Sequence, residues 1–348
     1  MVTQQTGRAL PVVAITLGDP AGIGPEIIVR TLSHPELYRR CRPLVVGDAG
    51  TVEEACLTVG IPLITNPVPT PSQGRYQHGT LDLLDLANVD RARLRPGKPT
   101  SAGAKAARQF LEAAGRLALK GEVDALVTAP TGKPPAATRD LGHCQEQAEA
   151  LAAISGSRHW GMMLAVGSLY LVEVVPQPLS ERALGTVSRG AVVAAIKLAH
   201  RAMRALGGQD PGIGVLGMGR TLRQPRRAAE LEAREVVPAI QVAAQAGIRV
   251  VGPVTPESLQ QRAAAGEFEA VVCMCRDQVN LGALRQDTAV PGSGHVCVTI
   301  GLPFIHTSVG HGPEFEAAGQ GLATEQAMQD AVLLAVRMAQ ARVRGASA

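Results

Sequence analysis

An α/β fold carried by largely parallel sheets is the class this sequence predicts, and three observations predict it. Short apolar runs alternate with helix-length amphipathic stretches through most of the 348 residues. The first run, Val12-Val13-Ala14-Ile15, leads through Leu17-Gly18-Asp19-Pro20-Ala21-Gly22-Ile23-Gly24-Pro25-Glu26 into Ile27-Ile28-Val29. That is the strand, glycine-rich turn and helix of a βα unit. Apolar residues make up 46% of the chain but aromatics only 2%. The core must therefore be packed from Ala, Val, Leu and Ile, over a length sufficient for two lobes.

In the glycine-rich turn Pro25 falls in the first helical turn, where its missing N–H costs nothing. Gly18, Gly22 and Gly24 permit positive φ and close approach of a ligand, and a helix start favours anions. The same spacing also serves βα turns that hold no ligand. Residues 44–47 read as a short buried strand and 51–59 as a short helix. The stretch 62–99, rich in Pro, Gly and polar residues, is expected to be mostly irregular, with room for strands. Ser101 is the expected cap of a helix with Ala107, Phe110, Leu111, Ala114 and Leu117 on one face, ended by Gly121. A strand at 125–130 follows, then a strand pair at 162–166 and 169–175, and a helix at 189–206 stopped by Gly207-Gly208. Strand 213–216, helix 227–245, strand 248–251, helix 256–264 and strand 269–275 alternate regularly. Strand 296–300 and a helix over 324–343 close the chain.

The net charge of +4 is modest and the basic residues are spread along the chain, which argues against nucleic acid as a partner. No apolar run is long enough to span a bilayer, and the N-terminus lacks the regions of a signal peptide. The six cysteines, at 41, 56, 144, 273, 275 and 297, form no disulfide-rich or zinc-ribbon pattern. A soluble cytoplasmic protein with reduced thiols is the expectation.

The motifs also form an ordered series. The segment 18–26 is followed by Pro96-Gly97-Lys98, then Gly121-Glu122-Val123-Asp124-Ala125-Leu126-Val127-Thr128-Ala129-Pro130 with Lys133, then Gly142-His143. Asp277-Gln278, Gly301-Leu302-Pro303-Phe304-Ile305, Thr307-Ser308-Val309 and His311-Gly312 complete it. Over essentially the whole chain this resembles the 4-hydroxythreonine-4-phosphate dehydrogenase family of vitamin B6 biosynthesis. The resemblance implies a two-lobed fold similar to isopropylmalate dehydrogenase, with mostly parallel sheets, helices on both faces and a cleft between the lobes. The lobes are expected at 1–130 plus 275–348 and at 131–274, the second carrying a homodimer interface. It also implies NAD as oxidant and a divalent metal held by three histidines. Gly18, Asp19, Gly22, Gly24, His311, Gly312 and Gly319 are the expected cofactor contacts, the last three on the adenine side.

The sequence departs from that family at the metal. Gln177, Thr221 and Arg276 occupy the three histidine positions. A neutral amide, a hydroxyl and a permanent cation do not hold a catalytic divalent ion, so no metal is expected. In the substrate pocket the family's Asp position is Glu257, its Asn is Cys297 and its Arg is His306. Its lysine falls in a stretch with an insertion, near Arg285. His143, Arg276 and Asp277 are the expected catalytic residues. Gln177, Thr221, Glu257, Arg285, Cys297 and His306 are the expected substrate contacts.

Each assignment has a plainer counterpart. Arg276 is read as holding an anionic substrate or polarising its oxygen, against an ordinary surface arginine. Arg220, Arg223, Arg226 and Arg227 fit either a solvated loop or an anion site. Cys144 and Cys297 read as packing residues. His295, His306 and His311 lack the helix-face spacing of a rebuilt metal site. The sequence thus predicts a metal-independent, NAD-dependent oxidoreductase acting on an anionic hydroxy acid. The alternative is a non-redox lyase, isomerase or cyclase, or a ligand-binding protein, on the same scaffold. Gly310, where the family has Asp, favours that alternative.

Overall fold

The computed structural model describes residues 9–132, 142–167, 169–174, 186–218, 225–275, 278 and 295–345. The chain folds into two compact units, Met1–Ser155 with Pro303–Gln340, and Gly156–Leu302 with Ala341–Ala348.

The first unit holds strands β1 (Val12–Thr16), β2 (Arg42–Gly47), β3 (Ile64–Pro67), β4 (Thr80–Asp85), β5 (Ala125–Thr128) and, from the C-terminal part of the chain, β12 (Ile305–Val309). They lie side by side in the order β3-β4-β2-β1-β5-β12, and every pairing is parallel. Its helices are α1 (Gly24–Leu32), α2 (Pro35–Tyr38), α3 (Ala49–Val59), α4 (Ser101–Lys120) and α5 (Gly142–Ser155). Strands β1, β2, β5 and β12 are buried along nearly all their length, as strands covered on both faces by βα crossovers must be.

The second unit holds β6 (Gly161–Val166), β7 (Leu169–Glu173), β8 (Ile213–Leu216), β9 (Val250–Val254), β10 (Ala270–Cys273) and β11 (Val296–Ile300). Their order is β11-β6-β7-β10-β8-β9. The β11–β6 and β6–β7 pairings are antiparallel, and the rest are parallel. Helix α6 (Arg189–Ala205) packs here. So does the path through α7 (Pro225–Leu231), a π-helical turn at Glu232–Val236 and α8 (Val237–Gln245), with α9 (Pro256–Ala264) beyond it. Helix α10 (Gln326–Gly345) closes the chain. The expected α/β class, largely parallel, is what the chain adopts.

Several elements differ from expectation. The cap of α4 is Thr100, whose Oγ1 accepts from the Gly103 N–H at 3.0 Å, rather than Ser101. Gly121 does end α4, at φ 72°. The stretch 62–99 contains β3 and β4. The unit boundaries fall beyond the expected 131 and 275 because α5 packs on α4 and β11 pairs with β6. A Cβ at Gly115 of α4 would lie 2.8 Å from Leu151 of α5. No disulfide joins the six cysteines. Among the described residues, no helix is long and apolar enough to cross a membrane.

Candidate active site

In the first unit β1 lies between β2 and β5: the chain leaves β1 for β2 on one side and comes back from β4 to β5 on the other. The crevice of such a sheet opens outside the carboxyl ends of those strands. There the turn after β1, residues 129–132 after β5, the segment after β12 and the first turn of α5 come together.

The glycine-rich turn is wholly buried, and its glycines meet protein. A Cβ at Gly18 would come 2.4 Å from the Pro130 carbonyl oxygen, one at Gly22 2.8 Å from that of Pro313, and one at Gly24 2.2 Å from that of Leu17. Gly18 also has φ +71°, a conformation costly for residues with a Cβ. Asp19, expected on the cofactor, is 1% exposed. Its Oδ1 accepts from the Ala21 N–H at 2.9 Å, and burial pushes its carboxyl above the usual range. These four residues shape the turn by backbone packing, which the motif spacing alone does not distinguish from ligand binding.

The segment after β12 is fastened to that turn. The Ile23 N–H donates to Pro313 O (3.0 Å) and the Gly97 N–H to Ala21 O (2.8 Å). Glu26, 4% exposed, accepts from the N–H groups of Gly319 (2.6 Å) and Gly321 (2.9 Å). Arg30, one turn further along α1, donates to Gly321 O. The Gly319 N–H is therefore taken by protein. His311 is half-buried. Its Nδ1 lies 3.0 Å from the Gly312 carbonyl and 3.4 Å from a Glu314 carboxylate oxygen. Both neighbours only accept, so Nδ1 carries the hydrogen and Nε2 is the ring's other face. Beside this segment a small concavity is lined by Pro20, Gly22, Glu26, Glu54, Pro96 and Gly319 among others.

Helix α5 presents His143, Cys144, Gln147, Ala148, Leu151 and Ala152 inward. His143 is 7% exposed, with Nε2 3.1 Å from the Val309 carbonyl at the end of β12. The Cys144 thiol lies 3.2 Å from the same nitrogen and 3.4 Å from the same carbonyl. Both stand in the first turn of α5, beside the carboxyl end of the sheet.

His306, expected on the substrate, is instead 1% exposed inside the core. Strand alternation turns it and Ser308 toward α5, and its Nε2 lies 3.0 Å from Thr128 Oγ1. Burial lowers its pKa from 6.5 to about 3. It is a neutral core residue rather than a stand-in for the family's arginine. The unfolded chain binds a proton below pH 6.5 that the fold refuses, so this contribution is intact above pH 6.5. It then declines by about 1.4 kcal/mol per pH unit toward pH 3. Between pH 7 and pH 5, urea titration should show the wild type losing roughly 2 kcal/mol more than His306→Gln. Parallel pH profiles would mean that the ring titrates in the fold as it does in the unfolded chain.

Two further expected residues lie in the second unit. Glu257 is exposed in the first turn of α9, and Cys297 is buried in β11 opposite Leu164. Gln177, Thr221, Arg276, Asp277 and Arg285 lie outside the described residues, as does Lys133. Sequence reasoning missed Glu26 as the anchor of the 319–321 segment and Gln147 as a polar residue on the buried stripe of α5. A glutamine spaced four after His143, where helical periodicity asks for an apolar side chain, is the signal that was there to find.

The fold is an α/β one whose first unit is built on a wholly parallel set of strands. The family model described as "Pyridoxal phosphate biosynthetic protein PdxA" matches residues 39–335, and the chain belongs to that family. A 4-hydroxythreonine-4-phosphate dehydrogenase of Geobacter metallireducens is 35% identical, over 96% of this chain and 97% of its own. A D-threonate 4-phosphate dehydrogenase of Cupriavidus necator is 34% identical, over 96% and 98%. The crystal structure of a 4-hydroxythreonine-4-phosphate dehydrogenase from Klebsiella pneumoniae aligns with a TM-score of 0.81 at 28% identity, covering 96% of this chain and 100% of that one. One from Burkholderia phymatum aligns at 0.77 and 31%, covering 95% and 99%.

Proposed function

We propose that this chain is an NAD-dependent oxidoreductase that oxidises a hydroxyl group of an anionic, phosphorylated hydroxy acid without a bound divalent metal. The observation that carries this reading is the end-to-end match to relatives named for dehydrogenation of such compounds. The protein is read as a cytoplasmic homodimer, with neither nucleic acid nor membrane as partner.

NAD, when bound, accepts the hydride. His311, Gly312 and the concavity bounded by Gly319 are the proposed seat of its adenosine half. His143, held at the carboxyl end of the sheet, takes the hydroxyl proton or holds the substrate. Arg276 supplies the positive charge at the reacting oxygen, with Asp277 beside it. Gln177, Thr221, Glu257, Arg285 and Cys297 are the remaining proposed substrate contacts. The three residues at the metal positions do not fit a divalent cation, and no step passes through one.

The test is NADH formation at 340 nm from 4-hydroxythreonine 4-phosphate and D-threonate 4-phosphate, with chelator present. Turnover of either supports the reading. Absence of NAD binding at millimolar concentration removes it and leaves the non-redox alternative. With the adenosine half on His311, His311→Ala should weaken NAD binding by about 1–2 kcal/mol by calorimetry. Unchanged affinity would put the cofactor elsewhere.

A further inference from the structure

The inward stripe of α5 contains an amide whose hydrogen bonds can be assigned completely. Gln147 is 2% exposed. Its Nε2 donates to the Ala129 carbonyl (2.9 Å) and to Thr131 Oγ1 (3.1 Å). Its Oε1 accepts from Thr128 Oγ1 (2.7 Å) and Ser308 Oγ (2.8 Å). A carbonyl only accepts, so Ala129 fixes which end of the amide is the NH₂. The Thr128 hydrogen therefore points to Gln147, and at 3.0 Å from His306 Nε2 the same hydroxyl must accept. His306 thus carries its hydrogen on Nε2. One amide ties α5 to β5, to β12 and to the turn after β5, with its four hydrogen-bonding positions occupied.

His143 stands four residues earlier on the same helix, so about one turn separates the two side chains. Its Nε2 faces the Val309 carbonyl, an acceptor only, and the Cys144 thiol, whose hydrogen goes to that same carbonyl, so Nε2 carries a hydrogen and the lone pair of the neutral ring is on Nδ1. We propose that Gln147, with Thr128 and Ser308, is a positioning residue for His143. It fixes the first turn of α5 against the ends of β5 and β12, so that the imidazole keeps Nε2–H on Val309 and exchanges protons through Nδ1. The kinetic part of this inference rests on the role given to His143 above, whereas the tautomer does not.

The experiment is nitrogen-15 histidine NMR on the full chain, with the His143 signals assigned by their loss in His143→Asn. Wild type should show a single Nε2–H tautomer. Gln147→Leu, similar in volume but without the amide, should show both tautomers exchanging. Its kcat for NAD reduction with either phosphorylated substrate should fall roughly ten- to hundred-fold, a part of what acid–base catalysis contributes, while the KM for NAD stays within about two-fold. Should Gln147→Leu not fold, Thr128 decides. Thr128→Ser keeps the hydroxyl and should keep the single tautomer, whereas Thr128→Val should lose it. An Nδ1–H tautomer in wild type, or an unchanged Nε2–H tautomer in folded Gln147→Leu or Thr128→Val, overturns the proposal. Tautomers that respond as expected in a protein that oxidises neither substrate support the positioning and refute the activity.

Discussion

Glu26→Ala is expected to destabilise the first unit by about 3–5 kcal/mol, because it removes two charge-assisted hydrogen bonds from a buried site at once. The carboxylate sits in the first turn of α1, where the helix dipole also favours a negative charge. Its two oxygens hold Gly319 and Gly321 at 2.6 and 2.9 Å. Both glycines have positive φ, +80° and +65°, so this turn has little local preference of its own to fall back on. After truncation two backbone N–H groups lose their acceptor, and Arg30, which donates to the carbonyl of the same Gly321, loses a neighbouring negative charge. Glu26→Gln keeps one acceptor oxygen and should cost about half as much. Urea titration of both variants measures this. A loss below about 1 kcal/mol for Glu26→Ala would mean that water replaces the carboxylate without difficulty. The same variant should weaken NAD binding in proportion to the disorder of the 319–321 segment, since Gly319 bounds the concavity proposed for the adenosine half.

The strands were the legible part of this chain. Runs such as Val12–Thr16 and Val296–Ile300 are apolar on both faces and bounded by turn residues, as buried strands of an α/β fold should be. Helix α5 was not legible. Its inward stripe is built from His143, Cys144 and Gln147 followed by small alanines, so the apolar period that marks a helix is missing from its first half. His306 was placed on the substrate by the resemblance alone, and with α5 invisible nothing in the sequence signalled that its side chain is covered. The glycines of 18–24 show a different limit. Close approach was read correctly, but the approaching groups are the carbonyls of Leu17, Pro130 and Pro313. Two of these are far away in sequence, and spacing within a motif says nothing about distant backbone. At residues 71–82, likewise, a buried Asp82 gathers Asn66 and the N–H groups of Arg75 and Tyr76. That long-range polar organisation is hidden in a stretch that reads as irregular.

Purified protein is expected to contain no stoichiometric divalent metal, to keep its activity in chelator, and to lose affinity for its anionic substrate when Arg276 is removed. The argument starts from donor chemistry. Gln177 and Thr221 offer single neutral oxygens, poor ligands for zinc or magnesium without an imidazole or carboxylate beside them. Arg276 offers no lone pair at all. A guanidinium and a dication about 4 Å apart repel by several kcal/mol even at an effective dielectric near 20, so the two exclude each other. The guanidinium can still perform part of the metal's electrostatic task. It presents a fixed positive charge and paired donors to a carboxylate, a phosphate or a developing alkoxide. Arg276→Ala should therefore weaken binding of the phosphorylated substrate, by roughly 2–4 kcal/mol in a dry pocket, since a charge pair is broken. Arg276→His should not create a tight metal site, because the other two positions still lack ligands. Elemental analysis, chelator-treated kinetics and substrate titration of the two variants measure the three expectations separately. One equivalent of zinc in the purified wild type, or abolition of turnover by chelator, would show that other side chains have rebuilt the metal site and that Arg276 serves another purpose.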